Sequence, residues 1–418
     1  MKRRSFLAAL SAVPLAPVLG SPLLESLGMM RHPFTASMWS YLWDLADEGY
    51  AQAFARMKDN GLTAVSLACA YHAGKFLAPH NPKRKVVFLE DGTVYFTPTP
   101  SQYGRIQPRI NSLVGQGHSL AVVRREAERF GMETRAWVVC CHNTPLGTQY
   151  PDIVCRTSHG DPLYHNLCPA NEDVRRYLRA VVSDIASQGA TVIELEAMQF
   201  QGYSHGFHHE REGILLSPSV RFLLGLCFCA SCRRRYAGGQ TRFDALQSFV
   251  RTTLDAYFQD PGSSSDGIPT VEALVAGELA DLMDWRKTIV TSLAEELVAS
   301  VSGSGVRLRP LVSYDAAART MVGMDPRAVA AVTGGVLMPG YTTDGNALRP
   351  LIAGLQAMVP AGEIVIGLQV GMPESGGRTE FLSRVAAARE LGITAFNFYN
   401  YGFIPLANLA WIREALEA

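Results

Sequence analysis

Two glutamates stand two residues apart in Val192-Ile193-Glu194-Leu195-Glu196-Ala197-Met198-Gln199-Phe200. In an extended strand successive side chains point to opposite faces, so Glu194 and Glu196 share one face and Ile193, Leu195 and Ala197 the other. Inside an apolar enclosure, burial raises a carboxyl pKa, and a second carboxylate nearby raises it further. That is the condition for a general acid that protonates a leaving oxygen. Glu196, nearer the end of the segment, is the leading candidate for that part, with Glu194 beside it. The competing reading is that one of the pair is a structural acid held by an arginine. Cleavage of a glycosidic bond by carboxylates uses a second acid across the sugar. Asp315 in Ser313-Tyr314-Asp315, Glu374 in Gly371-Met372-Pro373-Glu374, and Asp344 are the candidates.

Cysteines form the strongest local pattern, Cys227-Phe228-Cys229-Ala230-Ser231-Cys232. Three thiols within six residues can face one tetrahedral metal where the chain turns. Cys168, in Asn166-Leu167-Cys168-Pro169, is a fourth candidate ligand, and Cys155, Cys140 and Cys141 are others. Zinc is the expected ion. Disulfides and buried free thiols are the alternatives, because the eight cysteines could pair in an oxidising compartment.

Other polar groups suit ligand contact. His205, His208 and His209 share one loop, and His72 and His142-Asn143 follow extended runs. They could hydrogen-bond hydroxyls, shuttle protons or bind metal, or could cap loops. Trp39, Trp43, Tyr314, Tyr341, Phe398, Tyr399 and Tyr401, with Gln369 and Asn400, offer flat rings and polar edges suited to stacking on sugars. Packing claims some of the same rings.

These residues need a scaffold, and the chain alternates short β-branched or aromatic runs with helical patterns. Eight runs are expected as strands: 34–43, 63–71, 133–141, 191–200, 306–314, 335–338, 363–370 and 394–401. Helices are expected over 50–60, 120–130, 172–187 and from 406 to the end. Gly61, Gly131, Gly189, Gly305, Gly362 and Gly392 stand where a left-handed residue ends a helix before the next strand. The order predicts an α/β fold, a single (β/α)8 TIM barrel over residues 29–418, with long insertions after strands 2 and 4. A doubly wound open sheet is the alternative, but no Gly-x-Gly-x-x-Gly follows the first strand. Asp91-Gly92, between Val86–Leu89 and Thr93–Phe96, predicts a hairpin in the first insertion. Insertions after strands lie on the carboxyl face of such a barrel, where active sites are built.

With 48% hydrophobic and 18% charged residues, the composition excludes a disordered chain. Lys+Arg and Asp+Glu both number 38, which leaves no basic excess for a nucleic-acid partner. Arg3-Arg4-Ser5-Phe6-Leu7 and the short apolar run after it predict a twin-arginine export signal over residues 1–28. The twin-arginine translocation machinery is then a partner, and the location periplasmic or extracellular. That route moves folded protein, so a metal could be loaded before export.

The cysteine pattern resembles glycoside hydrolase family 42, the barrel β-galactosidases. That family carries Cys-x-Cys-x-x-Cys after its fourth strand and Cys-Pro after its third, shortly before a helix with Val/Tyr-Arg. Here Cys227, Cys229 and Cys232 match the first part, and Cys168-Pro169 before Val174-Arg175 the second. The resemblance runs from the third strand through the cysteine-bearing helix. It implies a structural zinc on four thiolates and an acid/base Glu at the end of strand 4, at Glu196, with Leu195 where the family has Asn. It also implies a second Glu at the end of strand 7, where this chain has Gln369. The expectation is an exported glycoside hydrolase acting on a carbohydrate substrate. The alternatives are a carbohydrate-binding barrel without activity and a metal-dependent lyase or isomerase. Homo-oligomerisation is left open by the sequence.

Overall fold

The protein is described by a computed structural model that covers residues 34–204, 209–261 and 267–418. The eight expected runs all form strands: β1 Thr35–Ser40, β2 Ala64–Tyr71, β3 Glu133–Val139, β4 Val192–Glu196, β5 Arg307–Pro310, β6 Gly335–Pro339, β7 Glu363–Gln369 and β8 Ala395–Tyr399. All pair in parallel, in the order β5-β4-β3-β2-β1-β8-β7-β6. β5 and β6 meet through a bridge at Leu311 and Leu337, where Val312 N–H donates to the Leu337 carbonyl at 2.9 Å. Sheet neighbours are thus chain neighbours all the way round. That order describes a (β/α)8 barrel and rules out the doubly wound sheet, whose strand order reverses at a switch point.

A helix follows each strand before the next. Tyr50–Asp59 and Glu172–Ser187 fall within a residue of their expected limits. Asn171 caps the second through bonds from Asp173 N–H and Val174 N–H. Gly61 and Gly189 turn the chain toward β2 and β4 at φ +83° and +90°, a conformation that costs other residues energy. Gly362 does not take that conformation. Its helix stops at Met358, and Val359, the residue before Pro360, leaves the helical conformation at φ −124° and ψ 63°, as steric conflict with a following proline ring favours.

Two local expectations need correction. Trp43 lies on the helix Leu42–Glu48 and not on the first strand. The Asp91-Gly92 turn joins two different sheets and closes no hairpin. Val86–Phe88 pairs antiparallel with Lys75–Leu77, whereas Thr93–Val94 joins the end of β2. The cause lies in partners remote in sequence. The Asp91 carboxylate accepts from Ala73 N–H at 2.9 Å, and Asn143 donates to the Gly92 carbonyl at 3.2 Å.

Both expected insertions are present, and a third follows β3. It holds the helix Thr144–Gln149 and an antiparallel pair, Val154–Arg156 with Pro162–Leu167. The insertion after β4 carries Pro218–Leu224, Ala230–Arg235 and the long helix Gln240–Gln259. His205 and His208, like the expected export signal, lie outside the described residues. His209 is described and sits at φ +64°.

Candidate active site

Glu194 and Glu196 both face the barrel interior, as their two-residue spacing requires, but they meet different surroundings. Glu194 is 1% exposed. Its Oε2 accepts from Trp39 Nε1 and Ser66 Oγ, each at 2.7 Å, and its Oε1 accepts from Asn397 Nδ2 at 2.7 Å. The donors come from β1, β2 and β8, so this carboxyl ties four strands together across the barrel. Burial pushes its pKa up to about 7, against the pull of the nearby Arg135 and of the three donors. Every direction around this acid is filled by protein.

Glu196 closes β4 one layer nearer the mouth and is only partly buried. Its Oε2 accepts from Trp137 Nε1 at 2.6 Å. Burial raises its pKa, opposed by His72 and by the Trp137 hydrogen bond. A cavity of about 210 Å³ opens beside it, lined by Gln199, Gln201, Ser313, Arg319 and Met324 among others. This acid stands at the edge of a recess with its pKa above the usual carboxylate range.

Aromatic rings wall the mouth around it. Trp137 packs against Tyr71, Tyr41 and Trp39 at centroid distances of 4.9, 5.7 and 5.8 Å. Tyr399 at the end of β8 lies 6.2 Å from Trp137 and 5.9 Å from the exposed ring of Tyr341. Burial raises the Tyr399 phenol, and the charges of Glu196 and Glu374 raise it further. His72 stacks between Tyr71 and His142, at 4.4 and 4.3 Å. Trp137, Tyr41 and Tyr71 were not singled out by sequence. The signal available was positional: Trp137 pairs with Glu194 across the β3–β4 register, so it must face inward with it.

The remaining candidates divide by what already occupies them. Glu374 lies exposed on the turn after β7, and its Oε1 accepts from Gln369 Nε2 at 2.7 Å. Gln369 thus reaches from the strand end to hold an acid that the loop supplies. Asp315 is exposed and caps the helix Ala316–Val322 through Ala317 and Ala318 N–H, and Asp344 caps Gly345–Met358. Asn143 is buried, with its oxygen on Leu146 N–H and its nitrogen on Gly92. Asn400 is buried and caps Gly402 N–H. Tyr314 is exposed beyond β5. Internal hydrogen bonds therefore account for Asp315, Asp344 and Asn143, while Glu374, His72, His142, Tyr341 and Tyr399 stay at the mouth.

Four thiols come together outside the barrel, and the buried thiol of Cys155 lies against two of them, Cys168 and Cys227. The Sγ atoms of Cys168, Cys227, Cys229 and Cys232 all lie within 4.8 Å of one another and are buried. Cys168 stands 3.5, 3.6 and 3.9 Å from Cys232, Cys229 and Cys227. Four sulfurs about 2.3 Å from one tetrahedral ion would be about 3.8 Å apart, whereas a disulfide needs about 2.05 Å. None of the eight cysteines is paired. Backbone bonds build the cluster: Phe228 N–H donates to the Arg156 carbonyl at 2.7 Å and Cys168 N–H to the Ile153 carbonyl at 2.9 Å. The third insertion thus carries Cys168 to the cysteine loop. Cys140 and Cys141 lie apart, against the carbonyls of Val138 and Met198.

With this geometry in view, solved structures supply a comparison of folds. The chain is similar to the PgaB (BpsB) glycoside hydrolase domain of Bordetella bronchiseptica, at TM-score 0.53 and 16% identity over 92% of this chain and 99% of that one. It is also similar to the β-galactosidase of the psychrophilic Marinomonas ef1, at TM-score 0.56 and 9% identity over 92% of this chain. A third likeness is to α-L-fucosidase isoenzyme 2 of Paenibacillus thiaminolyticus, at TM-score 0.50 and 12% identity. The chain spans 59% of the β-galactosidase and 49% of the fucosidase. At these identities the likeness is one of fold, a (β/α)8 barrel. No family model matches the chain, and no curated relative does.

Proposed function

We propose that this protein is a glycoside hydrolase with Glu196 as its acid/base. The observation that carries the reading is the contrast between two acids of one strand. Glu194 is enclosed by three donors, while Glu196 has a single one among the described residues, Trp137, and borders a recess lined by Gln199, Gln201, Ser313 and Arg319, with the aromatic cluster of Trp137 and Tyr399 beside it. A protonated Glu196 would donate to the glycosidic oxygen as the bond breaks, and its anion would then activate water. Glu374 is the proposed partner, because it stands on the turn after β7 and Gln369, at the end of that strand, holds its carboxylate. Tyr341 and Tyr399 offer ring faces for a sugar, and His72 and His142 offer hydroxyl contacts. The expected leader with Arg3-Arg4 supports an extracytoplasmic glycan or glycoside as substrate.

We further propose that Cys168, Cys227, Cys229 and Cys232 hold a structural zinc. The sulfur spacing and burial support that donor set, which leaves no ligand position open for chemistry.

The test is release of chromophore from a panel of aryl glycosides by the wild type and by Glu196→Gln and Glu374→Gln. Turnover by the wild type that is lost in Glu196→Gln with unchanged melting supports the assignment. Equal turnover by that variant overturns it. A second reading, a binding barrel without hydrolysis, draws on Gln369 standing at the end of β7. Sugar binding in a calorimeter with no product from any glycoside would favour it.

A further inference from the structure

The insertion after β2 holds a two-stranded ribbon whose two faces differ. Lys75 lies opposite Phe88, Phe76 opposite Val87, and Leu77 opposite Val86. Directly opposed residues of an antiparallel pair share a face. Phe76 and Val87 therefore point inward together, and the Phe76 ring packs on Tyr41 and Phe403 at 5.3 and 4.8 Å. Leu77, Val86 and Phe88 form the other face with Lys75, and they are 67, 51 and 75% exposed. Three large apolar side chains side by side on one small ribbon are more than the scattered exposure expected of a surface.

The same ribbon is strongly cationic. From Lys75 to Leu89 the sequence has Lys75, Lys83, Arg84 and Lys85 and no acidic residue. Arg84 and Lys83 share one carboxylate, Asp47, at 2.8 and 3.4 Å. Lys85 donates to the carbonyls of Pro79 and Asn81, which leaves its charge uncompensated. Among the described residues Lys75 has no ion-pair partner. The chain as a whole is neutral, so this excess is local to the ribbon.

We propose that the exposed face of the 75–88 ribbon seats this protein on an anionic lipid surface. Aliphatic and phenyl side chains entering the acyl boundary, with lysines at the level of the headgroups, match how interfacial segments bind membranes. A second copy of the chain suits the ribbon less well, since a twofold contact would set these cations against themselves. A sulfated or acidic glycan would engage the lysines but would gain little from Leu77 and Val86. The ribbon follows β2, so it stands on the carboxyl rim beside the aromatic mouth, and seating it would hold that mouth close to the bilayer. This inference is independent of whether Glu196 is catalytic.

The test is co-sedimentation of the full chain with phosphatidylcholine vesicles, with and without phosphatidylglycerol. It compares the wild type with Leu77→Ser/Val86→Thr/Phe88→Ser and with Lys75→Gln/Lys83→Gln/Lys85→Gln. The wild type is expected to bind the anionic vesicles in a salt-sensitive way. Each triple variant should weaken that binding at least about tenfold while leaving thermal melting unchanged. The N-terminal segment is common to all three proteins and cancels in the comparison. Equal partitioning of wild type and variants would overturn the proposal. So would heparin binding that needs the lysines but not the apolar trio, combined with no preference for anionic vesicles.

Discussion

Glu194 gives the sharpest test of how the barrel is held together. Changing it to Ala removes the acceptor shared by Trp39 Nε1, Ser66 Oγ and Asn397 Nδ2 in a pocket that water does not reach. Each of the three orphaned buried donors costs about 1–3 kcal/mol, so the loss is roughly 3–9 kcal/mol, set against a total stability of about 5–15 kcal/mol. Changing it to Gln should cost far less. The Gln oxygen can keep Trp39 and Ser66, and its nitrogen can donate to Asn397 Oδ1, which has no partner among the described residues and needs only a turned amide. The pH dependence sharpens the contrast. In the folded state the Glu194 pKa is pushed up to about 7, from 4.5. Folding therefore takes up a proton between those values, and the stability linked to Glu194 is complete below pH 4.5 and lost as pH rises through 7. The linked change is roughly 3 kcal/mol. Glu194→Gln has no such proton, so its stability should fall less between pH 5 and pH 8. The carboxyl of Asp44, also raised to about 7, contributes equally to both proteins and cancels. Urea unfolding followed by tryptophan fluorescence at several pH values measures all three proteins. A Glu194→Ala protein within about 1 kcal/mol of wild type would refute the account, since its orphaned donors must then have found other partners. Equal losses for Ala and Gln would refute it too.

Three further outcomes follow from the same geometry. Trp137→Phe removes the hydrogen bond that lowers the Glu196 pKa. If Glu196 must be protonated to act, the alkaline limb of kcat/KM for an aryl glycoside should move to higher pH. Cys229→Ser should release one zinc per chain, read by elemental analysis, and lower the melting temperature, because metal binding to such a site is folding energy. A zinc content unchanged by that substitution would remove the assignment. Arg175 is fully buried and donates to the Pro169 carbonyl at 2.7 Å, to Glu296 at 2.6 Å and to the Ile289 carbonyl at 2.8 Å. Arg175→Ala should cost roughly 3–5 kcal/mol in urea unfolding, because it leaves buried partners unpaired and loosens the Cys168-Pro169 turn.

Much of the scaffold was legible because its signals are local. β-branched runs, helix periodicity and stop residues such as Gly61 and Gly189 act over a few positions, and each fixed an element close to its limits. The shared face of Glu194 and Glu196 followed from strand alternation alone. The third insertion was missed, since Val154–Arg156 and Pro162–Leu167 are short and gain strand character only by pairing with each other. The Asp91-Gly92 turn misled for a related reason: turn residues specify a bend, but the choice of strand partner was made by β2 and Lys75–Leu77.

The sequence by itself determined the barrel, the inward pair of glutamates and the three clustered thiols of Cys227, Cys229 and Cys232, because period, spacing and residue chemistry act within short stretches of chain; that Cys168 joins them was decided by the fold. Only the tertiary structure decided which glutamate is enclosed and which is open. That difference arises where Trp39, Ser66 and Asn397, on three other strands, converge on Glu194 and spare Glu196. It also turned Asp315 and Asn143 into helix caps and left Glu374 at the mouth, on the amide of Gln369. A hydrogen-bond partner lying two hundred residues away leaves no trace in local spacing, so the division of labour between like residues had to be read from the fold.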